Sequence, residues 1–168
     1  MPEMKSLTQL MGDELKDLFS AENQLVTALP KMAKKASSEA LKKAFTSHLK
    51  ETEGHVKRLE TIGKMLDLKL SGKKCKAMEG LIEEGKEVLE EKGEPSLIDA
   101  ALIGAAQRVE HYEMAAYGAT RAMAESLGHK KIVDLLQQTL DEEGAADKKL
   151  TQIAEEEVLV AAAGTEGE

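Results

Sequence analysis

Apolar residues recur at steps of three and four along most of this chain, a period that suits long amphipathic helices and not alternating strands. Leu7, Met11, Leu15, Leu18, Leu25, Leu29 and Met32 trace one face of a first helix. Ser6-Leu7-Thr8-Gln9 gives it a capping-box start, in which the serine and glutamine side chains satisfy free amides. Pro30 lies inside the pattern, where it removes a hydrogen bond and is expected to kink or interrupt the helix near its end. Ser37-Ser38 caps a second helix, striped by Leu41, Phe45, His48, Thr52, His55, Leu59, Ile62 and Leu66. After a polar break from Lys69 to Lys74, Ala77, Met78, Leu81, Ile82, Val88 and Leu89 mark a shorter helix ending near Gly93, which reads as a crossover connection. Pro95-Ser96, with Asp99 three residues on, opens a third long helix that runs to about Leu127, where Gly128 fits a stop. The fourth carries Ile132, Leu136, Thr139, Glu143, Ala146, Leu150 and Ile153. No stripe follows Val160, so the expected organisation is one bundle over 1–160 and a frayed tail over 161–168.

Composition agrees with an all-α chain: 42% of residues are hydrophobic but only 2% aromatic, with no Trp, which favours Ala/Leu/Met packing over β-rich cores. At 168 residues a single domain buries about 70% of its unfolded surface and needs no disulfide or structural zinc. The lone Cys75 could supply neither, and a reducing cytoplasm is the default setting. Lys and Arg number 23 against 31 Asp and Glu, a net charge of −8 that disfavours a nucleic-acid partner. No apolar run approaches the roughly 20 residues that span a bilayer, and the first residues lack the pattern of an export signal, so a membrane location is not expected.

Shifting the chain by 91 residues lays the last two long helices over the first two. Leu7 then falls on Ile98, Leu18 on Val109, Leu41 on Ile132 and Leu59 on Leu150, while Glu22 falls on Glu113 and Glu51 on Glu142. Two equal helical hairpins joined by a long crossover are the layout of a ferritin-like four-helix bundle with a pseudo-twofold axis. The alternative is two unrelated amphipathic hairpins whose stripes align by periodicity alone.

An isolated buried carboxylate is costly, so acidic residues ordinarily avoid core stripes. Here Glu22 lies between Leu18 and Leu25, Glu113 between Val109 and Ala116, and Glu143 within the fourth stripe, one turn from Asp147. On the second helix Glu51 and His55 share a side, with His48 one turn back. Each helix therefore brings a carboxylate to a similar height and the second adds imidazole. That oxygen-rich set suits iron or manganese better than structural zinc. Glu22, Glu51, Glu113 and Glu143 carry the four negative charges that two divalent ions neutralise, and Glu110 and Asp147 would suit a more oxidised pair. A solvated flank is the competing reading, stronger for Glu110, Glu142 and Asp147 than for Glu22 and Glu113. His48 stays open between ligand, hydrogen-bond donor and satisfied core histidine, whereas His111 and His129 read as exposed. Tyr117 is expected to aim its hydroxyl at the carboxylates. Lys73, Lys74 and Lys76 would lower the pKa of the Cys75 thiol if it were accessible.

Ser20 to Leu25, His48 to Glu60, Ala77 to Glu84, Asp99 to Gly118 and Thr139 to Leu150 together resemble the YciE/YciF family of bacterial ferritin-like stress proteins. The similarity runs to about Ala154. It implies a ferritin-like bundle, a homodimer, a di-iron centre and a link to stress. In the wider superfamily the matching metal ligands would be Glu22, Glu51 and His55, the Glu110-His-Tyr-Glu113 pair, and Glu143 with Asp147. Two functions follow as expectations. One is a di-iron or dimanganese protein that reacts with peroxide or oxygen, and the other is a non-catalytic structural or interaction bundle with a vestigial site.

Overall fold

The computed structural model describes residues 4–164. Helix α1 (Leu7–Lys35) starts at Ser6, whose hydroxyl accepts the Gln9 amide, while Gln9 Oε1 accepts the amide of Lys5. It runs through Pro30 to Lys35 without the expected interruption. Pro30 is exposed, so water can serve the Val26 carbonyl that loses its partner there. Helix α2 (Glu39–Met65) is capped by the Ser38 hydroxyl, which accepts the Leu41 amide. Helix α3 (Lys76–Glu90) starts at Cys75 and stops three residues short of Gly93. Helices α4 (Pro95–Ser126) and α5 (Lys130–Ile153) meet at Gly128, whose φ of +76° is the left-handed geometry that glycine adopts freely.

The hairpins α1/α2 and α4/α5 pack side by side, α1 against α4 and α2 against α5, and α3 crosses over α1 and α4. The molecule is an all-α four-helix bundle with a crossover helix. Its core divides in two. Met11, Leu15, Leu18, Leu59, Ile62, Ile132 and Leu136 fill one half, and Leu25, Leu29, Leu41, Phe45, Leu102, Leu150 and Ile153 fill the other.

Beyond Ile153 helical structure continues as far as Gly164. A π-helical turn (Ala154–Val158) leads into α6 (Leu159–Gly164). Ile153, Val158 and Ala162 are all buried, and the wider π turn keeps them on one face across a five-residue step, against α4. Residues 165–168 of the expected tail lie outside the described residues. Among the described residues, no helix is long and apolar enough to cross a membrane.

Candidate metal centre

Between the two apolar halves lies a layer of buried polar side chains, one or more from each long helix: Glu22 on α1, His48 and His55 on α2, Glu110 and Glu113 on α4, and Glu143 on α5. The stripes put them there. On α2, His48, Thr52, His55 and Leu59 follow one another at four- and three-residue steps, so whatever faces the core at Leu59 also faces it at the histidines. Ligand atoms of His48, Glu110, Glu113 and Glu143 lie within 4.8 Å of one another, as do those of Glu22, His55 and Glu143. Glu143 belongs to both groups.

Each imidazole is held from outside by a carboxylate and turns its other nitrogen inward. His55 Nε2 lies 2.8 Å from Glu142 Oε2, while His55 Nδ1 lies 2.9 Å from Glu143 and 3.3 Å from Glu22. His48 Nδ1 lies 3.2 Å from Glu51 Oε2, while His48 Nε2 lies 3.1 Å from Glu110 and 3.6 Å from Glu143. Glu142 is itself fixed by both terminal nitrogens of the Arg58 guanidinium and by Gln138. Tyr117, fully buried, donates its hydroxyl to Glu22 Oε1 at 2.5 Å, in line with the expectation from its spacing.

The inward atoms are close without being satisfied. His48 Nε2, His55 Nδ1, Glu22 Oε2, Glu110 Oε2 and both oxygens of Glu113 and of Glu143 make no aligned hydrogen bond. Orphaned polar atoms at this depth cost free energy unless a cation or protons supply the missing interaction. Without metal, burial and mutual repulsion favour proton uptake by the carboxyls. Burial, together with Glu143, Glu22 and Glu110, holds the Glu113 carboxyl well above the usual carboxylate range. Burial likewise raises Glu22, and pushes Glu143 up to about 7 although the His55 hydrogen bond opposes it. For the histidines burial disfavours the charged ring but loses to the acids. Glu143 and Glu22 push His55 up to about 10, and Glu110 with Glu51 holds His48 well above its ordinary value. Four carboxylates and two imidazoles in this arrangement could hold a metal ion with oxygen-preferring chemistry.

Of the residues the sequence singles out as ligands, Glu22, His55, Glu110, Glu113 and Glu143 come together, whereas Glu51 and Asp147 stand outside both groups. Glu51 is on the exposed flank of α2, behind His48. Asp147 Oδ1 accepts from Gln107 and lies 3.2 Å from the exposed His111 Nε2. Glu110, read more readily as a flank, is only 2% exposed, and His48 takes its place beside it. Glu142 is neither a ligand nor an idle flank, because it orients His55. Cys75 is buried, and its lysine neighbours do not activate it: burial and the nearby Asp17 push the thiol up. Its sulfur lies 3.0 Å from the Tyr112 hydroxyl, which donates to Asp17 at 2.6 Å.

Comparison with known proteins agrees with this architecture. Residues 6–163 match the family described as a domain of unknown function, DUF892. Protein YciF of Escherichia coli (strain K12) is 47% identical over 152 residues, covering 90% of this chain and 92% of that protein. The crystal structure of the E. coli stress protein YciF matches with a TM-score of 0.87 over 90% of this chain and 96% of the other. YcfI from Rhodopseudomonas palustris gives the same TM-score at 42% identity, over 90% of this chain and 97% of its own. By family match and by identity over nearly its whole length, the chain belongs to the DUF892 family, to which its resemblance to YciF also leads.

Proposed function

We propose that the chain is a di-iron carboxylate protein, with manganese as the alternative metal, that reacts with peroxide or oxygen during stress. The observation that carries this reading is the pair of buried ligand groups sharing Glu143, whose inward atoms lack aligned hydrogen bonds. Glu22 and His55 would hold one ion, His48, Glu110 and Glu113 the other, and Glu143 would serve both. Bound there, a pair of divalent ions supplies two electrons to an oxidant. The chain's own part is positional. Glu142 and Glu51 fix the imidazole tautomers, Tyr117 offers a hydroxyl proton at Glu22, and the apolar halves of the core exclude water on either side. Similarity to a protein described as a stress protein supports the setting. A homodimer in the cytoplasm is part of the same proposal.

Metal analysis of protein purified without oxygen, followed by hydrogen peroxide consumption in stopped flow, tests the reading. About two iron or manganese ions per chain, with rapid peroxide loss on mixing, are expected. A chain that takes up neither metal, or binds a pair yet leaves peroxide and oxygen untouched, would be a non-catalytic bundle.

A further inference from the structure

Between α2 and α5 a cavity of about 570 Å³ reaches the cluster from the side. Ala44 and Phe45 from α2 and Ala146 and Leu150 from α5 give it apolar walls, beside the charged Lys43 and Lys149 and the bracing Glu51 and Glu142. His48 and Glu110 line it as well. Both are more than nine-tenths buried, and His48 Nε2 and Glu110 Oε2 lack hydrogen-bond partners. Apolar walls facing convergent, orphaned polar groups, in a volume of roughly 300–1,000 Å³, suit a small molecule that has both an apolar body and a polar end. Oxygen and hydrogen peroxide are far smaller than this space and have no apolar body for its walls to hold. Size alone does not mark the site, because a groove of about 610 Å³ between α1 and α3 is lined by none of the orphaned buried atoms.

We propose that this cavity binds the apolar body of a small organic hydroperoxide and directs its peroxide group to His48 and Glu110. The substrate class comes from the cavity, while the chemistry rests on the metal-centre reading above. Reduction of such a hydroperoxide would break the O–O bond, consume two protons from solvent and the two electrons that a divalent pair held by the cluster would supply, and release an alcohol and water. The alcohol keeps the same apolar body and does not react, so it reports binding without turnover.

The test titrates 2-phenyl-2-propanol, the alcohol of cumene hydroperoxide, into the metal-free protein and follows amide chemical shifts by NMR. Saturable shifts at Phe45, Ala146 and Leu150 are expected, with binding weakened about tenfold or more in Ala146→Phe. Ala145→Trp gives a second block of the same cavity at an exposed position, where bulk does not threaten folding. In metal-loaded protein, both substitutions should lower the ratio of cumene hydroperoxide to hydrogen peroxide consumption by about tenfold. Shifts that map elsewhere, binding indifferent to both substitutions, or equal loss of both peroxides would overturn the proposal. Probe binding in a chain that takes up no metal supports the cavity and defeats the metal reading; metal uptake without probe binding does the reverse.

Discussion

A histidine offers a metal only one of its two nitrogens, and the partner of the other decides which. Glu51 takes Nδ1 of His48 and Glu142 takes Nε2 of His55, so the two rings should coordinate through opposite nitrogens, Nε2 and Nδ1 respectively. Nitrogen-15 NMR of diamagnetic zinc-loaded protein would read this directly, and two rings bound through the same nitrogen would contradict it. Glu142 is held by Arg58 and is not a ligand, yet Glu142→Gln should weaken metal affinity by about 10–100-fold, the usual effect of losing a group that orients a ligand. Asp147 and Glu110 make the converse comparison. Asp147→Asn should leave metal content unchanged in a titration monitored by calorimetry, whereas Glu110→Gln should abolish uptake at one position, because of these two residues Glu110 alone presents an orphaned oxygen to the cluster.

At the scale of the helix, the stripes already held most of the site. Glu22, Glu113, Glu143, His48 and His55 all occupy stripe positions, and a side chain in a stripe goes where its apolar neighbours go. The 91-residue register also separates Asp147 from the ligands: it sets Ala146 opposite His55 and leaves Asp147 opposite Val56, off the buried face. Glu51 and Glu142, paired by the same register, do share a task, each bracing one imidazole. What periodicity could not convey is contact between helices distant in sequence. Asp99 sits where a capping box would place it on its own helix, but its buried carboxylate instead accepts the Ser37 and Ser38 amides at the start of α2, at 2.8 and 2.7 Å. Those two bonds tie the hairpins together. Asp99→Ala should therefore destabilise the fold by about 2–3 kcal/mol in urea unfolding, as the loss of charge-assisted bonds to a helix start implies, while Ser96→Ala should cost far less.

For the molecule as a whole, the polar layer interrupts a core that would otherwise be continuous, and its cost without metal depends on pH. Groups whose folded pKa exceeds the unfolded value bind protons on folding, so their contribution is present at low pH and is lost as pH rises through the folded pKa. Glu143, raised from 4.5 to about 7, withdraws stability between those values. His55, raised from 6.5 to about 10, does so across the next range. Melting of the metal-free protein should thus fall steadily from pH 5 to pH 9. Metal, which replaces those protons, should flatten the fall and raise the melting temperature with concentration as RT ln(1 + [L]/Kd). Glu113→Gln isolates one contributor. The wild-type carboxyl must take up a proton to fold above pH 4.5, at about 1.4 kcal/mol per pH unit until its own raised pKa is reached, and the amide carries no such cost. The substitution should stabilise the metal-free protein by about 1–3 kcal/mol at pH 7, by less at pH 5, and remove most of the stabilisation by Fe(II) or Mn(II). Melts of both proteins at the two pH values, with and without metal, decide the matter. A difference within about 0.5 kcal/mol throughout, typical of a surface substitution, would mean that Glu113 neither strains the empty site nor holds the ion.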